Sequence, residues 1–192
     1  MDANTNITLE VIYAAIEADI KAKFPALVTV KFDHEDRKTL PAPACLLTLV
    51  EFEASPDNDP GTEQLCVLAS FEAELIIKFN SSINAKKNIR TLAANMAAWL
   101  HNRRWNMPGY TGEPGRAGSK LPTGPCMVGG AYPDDFQPEL DQFEIWRVEW
   151  SQLIHLGDTV WTNEGVTPSQ VFFGQSPEIG FGNEDDYTEV TK

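Results

Sequence analysis

The sequence is short of basic residues, cysteines and long apolar runs. It has 15 lysines and arginines against 28 acids, and no stretch comes close to the roughly 18 apolar residues that a membrane-spanning helix needs. Its three cysteines, Cys45, Cys66 and Cys126, are far apart and none belongs to a Cys-x-x-Cys motif, which favours reduced structural thiols. The first ten residues lack the basic and apolar segments of a secretory signal, so we expect an intracellular protein without a membrane partner.

The net charge of −13 conceals one basic segment between two acidic ones. Residues 84–120 contain seven bases and one acid, whereas the residues on either side carry an excess of acids. Two copies of such a dipolar chain attract each other head to tail. Contacts of this kind close into a ring when the rotation between copies permits it. The alternative is that the basic segment is an ordinary solvated helix face.

Hydrophobic periodicity predicts an α+β fold: a mostly antiparallel β-sheet with a long hairpin, packed by two main helices. Apolar residues recur at helical spacing in residues 9–24 and 84–104. The predicted order is α-β-β-β-α-β-β, in a single α/β domain over residues 1–162, followed by a C-terminal docking tail over residues 163–192. Apolar alternation and short apolar runs predict strands at 27–32, 44–53, 65–79, 126–132 and 143–156.

The strand predicted at 65–79 is long for a domain of this size. At about 3.4 Å per residue, such a strand would extend roughly 50 Å. Its odd-numbered positions are all apolar, whereas Ser70, Glu72, Glu74 and Lys78 lie on the other face. We therefore expect one end of the hairpin to extend beyond the core and to contact a partner.

No motif in the sequence predicts catalysis, a cofactor or a metal site. The glycine-rich stretch GEPGRAGSK lacks the Gly-Lys-Ser/Thr ending of a phosphate-binding loop and follows a predicted helix rather than a strand. His34-Glu35 lacks the second histidine of a zinc-protease helix, and Asp57-Asn58-Asp59 lacks the spacing of a calcium loop. The residues alone therefore give no recognisable catalytic constellation, and we predict no cofactor or metal.

The basic segment is the best candidate interaction surface. Its bases stand close to Trp99 and Trp105, and charge combined with aromatic rings is a feature of nucleic-acid binding surfaces. The acidity of the whole chain argues against a dedicated nucleic-acid binder but leaves transient passage of DNA through a ring as an alternative. The candidate residues on the predicted helix are Lys86, Lys87, Arg90, Arg103 and Arg104.

The C-terminal stretch VFFGQSPEIGFGNEDDY is the most distinctive part of the sequence. Together with RTLAANMAAWLHNRRW, a glycine- and proline-rich loop and EIWRVEWSQLIHLG, it resembles the tail-terminator (tail-completion) proteins of tailed phages. The resemblance is greatest to those of Mu-like contractile-tailed phages and related prophages, and it covers about residues 8–190. It implies an α/β domain whose sheet is packed by helices, and no enzymatic activity.

The resemblance also implies a structural virion protein at the junction of tail and neck, assembled in the host cytoplasm. Such proteins form a hexameric ring that caps the tail tube, ends its polymerisation and provides the surface to which the neck or head attaches. The implied partners are further copies of the chain, the tail tube, the sheath, and a neck or head-completion protein. The alternatives are another neck or head–tail joining component, or a soluble enzyme or binding module whose site the sequence does not reveal.

The resemblance further suggests where partners would bind. The basic helix residues would face a subunit interface or the lumen of the ring. The loop at 106–120, with Arg116 and Lys120, would contact the adjacent tail or neck ring. The segment from Pro177 to Tyr187, including Glu178 and Ile179, would dock against a neighbour.

Overall fold

The computed structural model describes most of the chain. The described residues are 7–33, 40–59, 61–78, 84–106, 121, 123–134, 143–158, 172–177, 179–183, 185 and 187–189. The chain forms two compact units, one spanning Asn4–Val160 and the other Met1–Ala3 with Trp161–Lys192. The first unit holds both helices and the main sheet, and the second holds a small two-stranded sheet.

The α+β class and the predicted element order are confirmed. The larger unit contains, in chain order, α1 (Leu9–Lys23), β1 (Thr29–Phe32), β2 (Ala44–Ala54), β3 (Leu65–Lys78), α2 (Ala85–Leu100), β4 (Met127–Pro133) and β5 (Phe143–Leu156). A single 3-10 turn, Pro56–Asn58, lies between β2 and β3. The smaller unit pairs β6 (Phe172–Phe173) with β7 (Thr188–Glu189). Within the part of the chain that the structure describes, neither helix is long and apolar enough to cross a membrane.

Helix α1 begins and ends where its sequence predicts. The Thr8 hydroxyl accepts a hydrogen bond from the Val11 amide at 3.4 Å, which satisfies one of the free N–H groups of the first turn. The apolar stripe of Ile12, Ile16 and Ile20 is fully buried. The helix ends at Lys23, and Phe24 caps it ahead of Pro25, because proline is incompatible with a continued helix.

The main sheet has the strand order β1-β2-β3-β5-β4. Strands β2, β3, β5 and β4 pair antiparallel, and only β1 pairs parallel, with the first part of β2. Strand β3 is paired with β5 along its whole length, from Leu65 opposite Leu156 to Lys78 opposite Phe143. The predicted hairpin is formed by β2 and β3, which pair antiparallel, and β3 is the central strand of the sheet.

Both helices pack on one face of this sheet. Phe71 and Trp150, which are opposite each other in β3 and β5, stack with ring centroids 5.3 Å apart. Trp105 packs beside Trp150, and Ile89 and Ile16 from the two helices belong to the same buried cluster. Burial of this apolar surface is the main stabilising contribution to the fold, because it removes the apolar sides of both helices and of this sheet face from water.

Neither of the two described helices packs on the other face of the sheet. At one end, Leu46, Ile76 and Ile145 form a second small buried cluster. Toward the hairpin end the face becomes polar and only partly buried, with Ser70 in β3 opposite Ser151 in β5. We call this polar part the open sheet face.

Helix α2 is shorter than predicted: it ends at Leu100, and residues 101–104 lie outside it. Asn102 has a positive φ of 59°, a conformation that terminates helices. The Asn102 amide then donates to the carbonyl of Cys126 at 3.0 Å, and the Cys126 amide donates to that of Arg103 at 2.9 Å. The chain leaves the helix because this segment pairs with the residues that lead into β4.

The far end of the β2–β3 hairpin is exposed. Val50, Phe52 and Leu65 keep 51%, 46% and 52% of their surface in contact with solvent. Among the described strands, β1 pairs only with the Ala44–Leu47 part of β2, so the rest of β2 is hydrogen-bonded on one side alone. The contact of this end with a partner stays a prediction.

A buried polar side chain connects the sheet to the segment after α2. Gln152, which is fully buried on the helix-covered face, accepts a hydrogen bond from the Trp105 indole nitrogen at 2.6 Å. Its amide nitrogen donates to the Thr123 hydroxyl at 3.1 Å and to the Gly124 carbonyl at 2.5 Å. All three partners are on segments without regular secondary structure, so this one side chain holds them in place.

We predict that Gln152→Leu destabilises the fold by about 1–3 kcal/mol, because the Trp105 N–H and the Gly124 carbonyl lose their partner in a buried place. Chemical denaturation followed by tryptophan fluorescence measures this difference. The control is Ser151→Ala, on the adjacent residue of the open sheet face, which should change stability by no more than about 0.5 kcal/mol. Equal losses in both variants would contradict the role given to Gln152.

Candidate functional site

The first turns of α2 present a basic surface, which we call the basic helix face: Lys86, Lys87 and Arg90. All three side chains are exposed. They line a shallow hollow of about 580 Å³ on the helix surface. Lys86 Nζ lies 3.9 Å from a carboxylate oxygen of Glu144 in β5, and the Arg90 guanidinium lies 5.9 Å from the ring centre of Trp146. The buried residues Ala85, Ile89 and Ala93 mark the side of the helix that faces the sheet, so Lys86 and Arg90 lie at the margin of that side and Lys87 lies on the opposite side.

Arg103 and Arg104 do not continue this surface, which corrects the prediction of one basic helix through residue 104. The helix ends between the two groups, and at 1.5 Å per residue Lys87 and Leu100 are roughly 20 Å apart along its axis. The Arg103 guanidinium lies 4.0 Å from the ring centre of Trp99 and is half-buried. Arg104 donates a hydrogen bond to the Thr123 carbonyl.

Asp19 explains why Arg103 is half-buried. This buried carboxylate of α1 accepts hydrogen bonds from Arg103 Nη2 at 2.9 Å, from the Asn106 amide at 3.0 Å and from the Asn106 side chain at 2.6 Å. A buried carboxylate is stable only when paired and hydrogen-bonded, as it is here. Arg103 therefore ties α1 to the segment after α2. The sequence offered no signal for this pair, because its members are 84 residues apart.

The open sheet face carries the opposite charge. Arg147 of β5 stands among carboxylates: Nη1 is 3.2 Å from Glu72, and Nη2 is 3.6 Å from Glu74 and 2.6 Å from Asp134. Glu149, two residues further along β5, lies directly opposite Glu72 and accepts a hydrogen bond from the Tyr132 hydroxyl.

One guanidinium thus stands among several carboxylates. We call the surface formed by Arg147, Glu72, Glu74, Asp134 and Glu149, with Glu51 at its margin, the acidic sheet face. Sequence reasoning placed Glu72 and Glu74 on the outward side of a strand but did not identify these residues as a site. No motif joins them, because the sheet register brings them together.

Partial burial raises the pKa of Glu72 above its ordinary value. The positive charge of Arg147 opposes the increase, whereas the negative charges of Glu149 and Asp134 add to it. For Arg147, burial lowers the pKa, but the hydrogen bond to Asp134 and the surrounding carboxylates outweigh that effect and raise it overall. The raised pKa of Glu72 thus reflects partial burial first and the neighbouring carboxylates second.

A hollow of about 310 Å³ lies on the open sheet face beside these groups. Glu51, Glu72 and Glu149 contribute its charged lining, and Ser70 and Ser151 contribute hydroxyls. Gly129 borders it, and Val50 adds an exposed apolar side chain at the rim. The hollow is shallow and acidic, which suits basic side chains of a protein partner better than a small apolar ligand.

The basic and acidic surfaces lie on opposite sides of the sheet. Lys86 and Arg90 contact Glu144 and Trp146, which share the helix-covered face with Trp150. Side chains alternate between the two faces along each strand. Glu72 and Glu149 alternate with the residues that face the helices and therefore point to the opposite side of the sheet.

In the smaller unit, Pro177, Ile179 and Tyr187 form a compact turn. The Ile179 amide donates to the Pro177 carbonyl at 2.9 Å, and the Gly180 amide donates to the Tyr187 hydroxyl at 2.8 Å. The Tyr187 ring crosses Gly174 so closely that a Cβ there would lie 2.6 Å from a ring carbon. Ile179 and Phe181 are exposed.

Three predicted contact residues, Arg116, Lys120 and Glu178, lie outside the described residues, as does nearly all of the 106–120 loop. Of the residues described, no group of three or more histidine, cysteine, aspartate or glutamate side chains is arranged to hold a metal ion. Burial raises the pKa of the Cys45 and Cys126 thiols to about 12, so both are protonated at neutral pH.

Comparison with known proteins assigns no family. No family model and no curated protein matches the chain. One solved structure, described by no functional name, shares 14% identity over 85% of this chain and 99% of its own, with a TM-score of 0.44. A likeness at this level indicates neither family nor function.

We predict that Arg147→Met lowers the free energy of unfolding by about 1–3 kcal/mol at pH 7, because the buried carboxylate of Glu74 and the half-buried carboxylates of Glu72 and Asp134 lose their common counter-ion. The loss should shrink toward pH 4, because the raised pKa of Glu72 allows this carboxylate to become protonated there. Urea denaturation at both pH values tests this, with the exposed Lys78→Met as control. A loss that does not depend on pH would show that Arg147 acts through packing alone.

Glu72→Gln should have the opposite effect at neutral pH. Because the pKa of Glu72 is raised in the folded state, its contribution to stability is full below the unfolded-state pKa and is lost as pH rises through the folded-state pKa. The glutamine variant should therefore be more stable than the wild type at pH 7, with the difference vanishing toward pH 4. Denaturation across this range, with the exposed Glu53→Gln as control, measures it. A variant that loses stability relative to the wild type as the pH rises from 4 to 7 would contradict the pKa shift.

Proposed function

We propose that this chain is a structural virion protein of the tail-terminator type, which forms a ring on the tail tube, ends tube polymerisation and provides the attachment surface for the neck or head. The observation that carries the proposal is the placement of opposite charges on opposite sides of one sheet, with Lys87 and Arg90 on one side and Glu72 and Glu149 on the other. A subunit with this polarity attracts further copies in a single direction.

Such an arrangement favours a ring over a symmetric dimer. In a two-fold dimer the same patch of both copies meets, and like charges would face each other. A head-to-tail contact pairs the unlike surfaces, and repetition of that contact closes a ring if the rotation fits. A closed ring leaves no charged surface of this pair without its partner around the ring, so the assembly stops at a fixed number of subunits.

The sequence resemblance supports the same function. The proteins that the chain resembles are expected to have an α/β domain with a helix-packed sheet, and the observed α+β fold agrees with that expectation. The sequence stretches that carry the resemblance form α2, β5 and part of the smaller unit. The location in the virion, the size of the ring and the partners on either side are parts of this proposal.

Deletion of the coding gene from the phage or prophage of origin tests the proposed function. We expect tails of variable and excessive length, without heads, in negative-stain electron micrographs of the lysate. Normal length should return when the wild-type gene is supplied on a plasmid. The length distribution of tails, measured on several hundred particles, is the readout.

Two other outcomes would change the assignment. Tails of normal length without heads would indicate a neck or head–tail joining component, since polymerisation would still stop at the correct place. Complete infectious particles from the deletion strain would overturn a structural role in the virion.

A further inference from the structure

We propose that the basic helix face of one copy docks on the acidic sheet face of the next copy, so that Lys87 and Arg90 lie over Glu51, Glu72 and Glu149. The partner of the open sheet face is therefore a second copy of this chain. The proposal rests on the ring assembly proposed above and names the two surfaces that make it.

The acidic sheet face needs a partner of positive charge. Glu72 and Glu149 stand directly opposite each other in neighbouring strands, an arrangement in which like charges repel. Of the residues that the structure describes, Arg147 is the cation beside them, and it is shared by Glu72, Glu74 and Asp134. A cation brought to the hollow from outside would relieve this repulsion and complete the compensation.

The basic helix face needs a partner of negative charge. The helix contains no acidic residue, and Asn84, not a carboxylate, caps its first turn by accepting from the Lys87 amide at 3.0 Å. Of the described residues, none offers Lys87 or Arg90 a carboxylate within 4.0 Å, and Lys86 reaches Glu144 only at 3.9 Å. Anionic groups at a helix N-terminus are also favoured by the helix dipole.

The two surfaces cannot satisfy each other within one copy, because the sheet lies between them. In two copies stacked in the same sense, the helix side of one meets the open side of the other. The small side chains of Thr91, Ala94 and Asn95 beside the bases leave room for the sheet surface to approach. The structure thus carries both halves of one interface on a single chain.

A charge exchange tests the pairing directly. The helix variant is Lys87→Glu/Arg90→Glu, and the sheet variant is Glu51→Lys/Glu149→Lys. We expect the wild type to associate at low ionic strength and to dissociate in about 0.5 M salt. Each variant should remain at the 21.3 kDa of a single chain, with association weakened on the order of 100-fold, because like charges then face each other.

The decisive sample is an equimolar mixture of the two variants. In the mixture every contact between unlike variants pairs opposite charges again, so assemblies larger than one chain should return. Light scattering coupled to size exclusion gives the masses. The control, Lys23→Glu/Lys31→Glu, makes the same change in net charge as the helix variant but places it on α1 and β1, and it should assemble like the wild type. Should lysine at position 149 unfold the chain, Glu51→Lys alone serves as sheet variant, because Glu51 is exposed on β2.

The possible failures are distinct. Variants that assemble like the wild type, or a mixture that stays monomeric while the wild type assembles, would overturn this pairing and leave the ring itself intact. A wild type that stays at 21.3 kDa at every concentration and salt would overturn docking between copies and show that the acidic sheet face serves another partner or none. The length of tails in the deletion strain tests the proposed function independently of either result.

Discussion

The register between β3 and β5 is the constraint on which the rest of the structure depends. The two strands pair residue by residue from Leu65 opposite Leu156 to Lys78 opposite Phe143, without a bulge. Because side chains alternate along a strand, this register directs Phe71 and Trp150 to the helices and Glu72 and Glu149 to the other side. A slip of one residue in β5 would bring Glu149 under the helices, where an unpaired carboxylate is very costly. The pairing of β3 with β5 therefore determines both the composition of the core and the position of the acidic sheet face.

The charges of the domain fall into two groups that differ in how well they are compensated. Asp19 and Arg103 are close, partly or fully buried and linked to Asn106, so their role is to hold α1 against the segment after α2. The basic helix face is exposed and the acidic sheet face is partly buried, and their described residues carry net charges of opposite sign. Ion pairs at exposed surfaces contribute little to the stability of one chain, but unbalanced surfaces of opposite sign determine which chains meet and in which orientation.

A ring built from such contacts has two chemically different ends, because every subunit points in the same direction around a cyclic axis. That property suits a component that must meet a tail tube on one side and a neck on the other. The exposed hairpin end, with Val50, Phe52 and Leu65, offers apolar area for a further contact outside the two charged surfaces. The smaller unit, held by Tyr187 against Gly174, supplies another compact surface on the same chain.

The sequence by itself determined the class, number and order of the main elements, because apolar periodicity reflects burial on one side of each helix and strand. It also determined the start of α1 at Thr8 and the alternation along β3 and β5. Only the tertiary structure decided where α2 ends, since the turn at Asn102 depends on pairing with Cys126. Likewise, only the long-range register placed Glu72 beside Glu149 and put the acidic sheet face behind the basic helix. Local patterns record which side of an element is buried, whereas contacts between distant segments depend on how the whole chain packs.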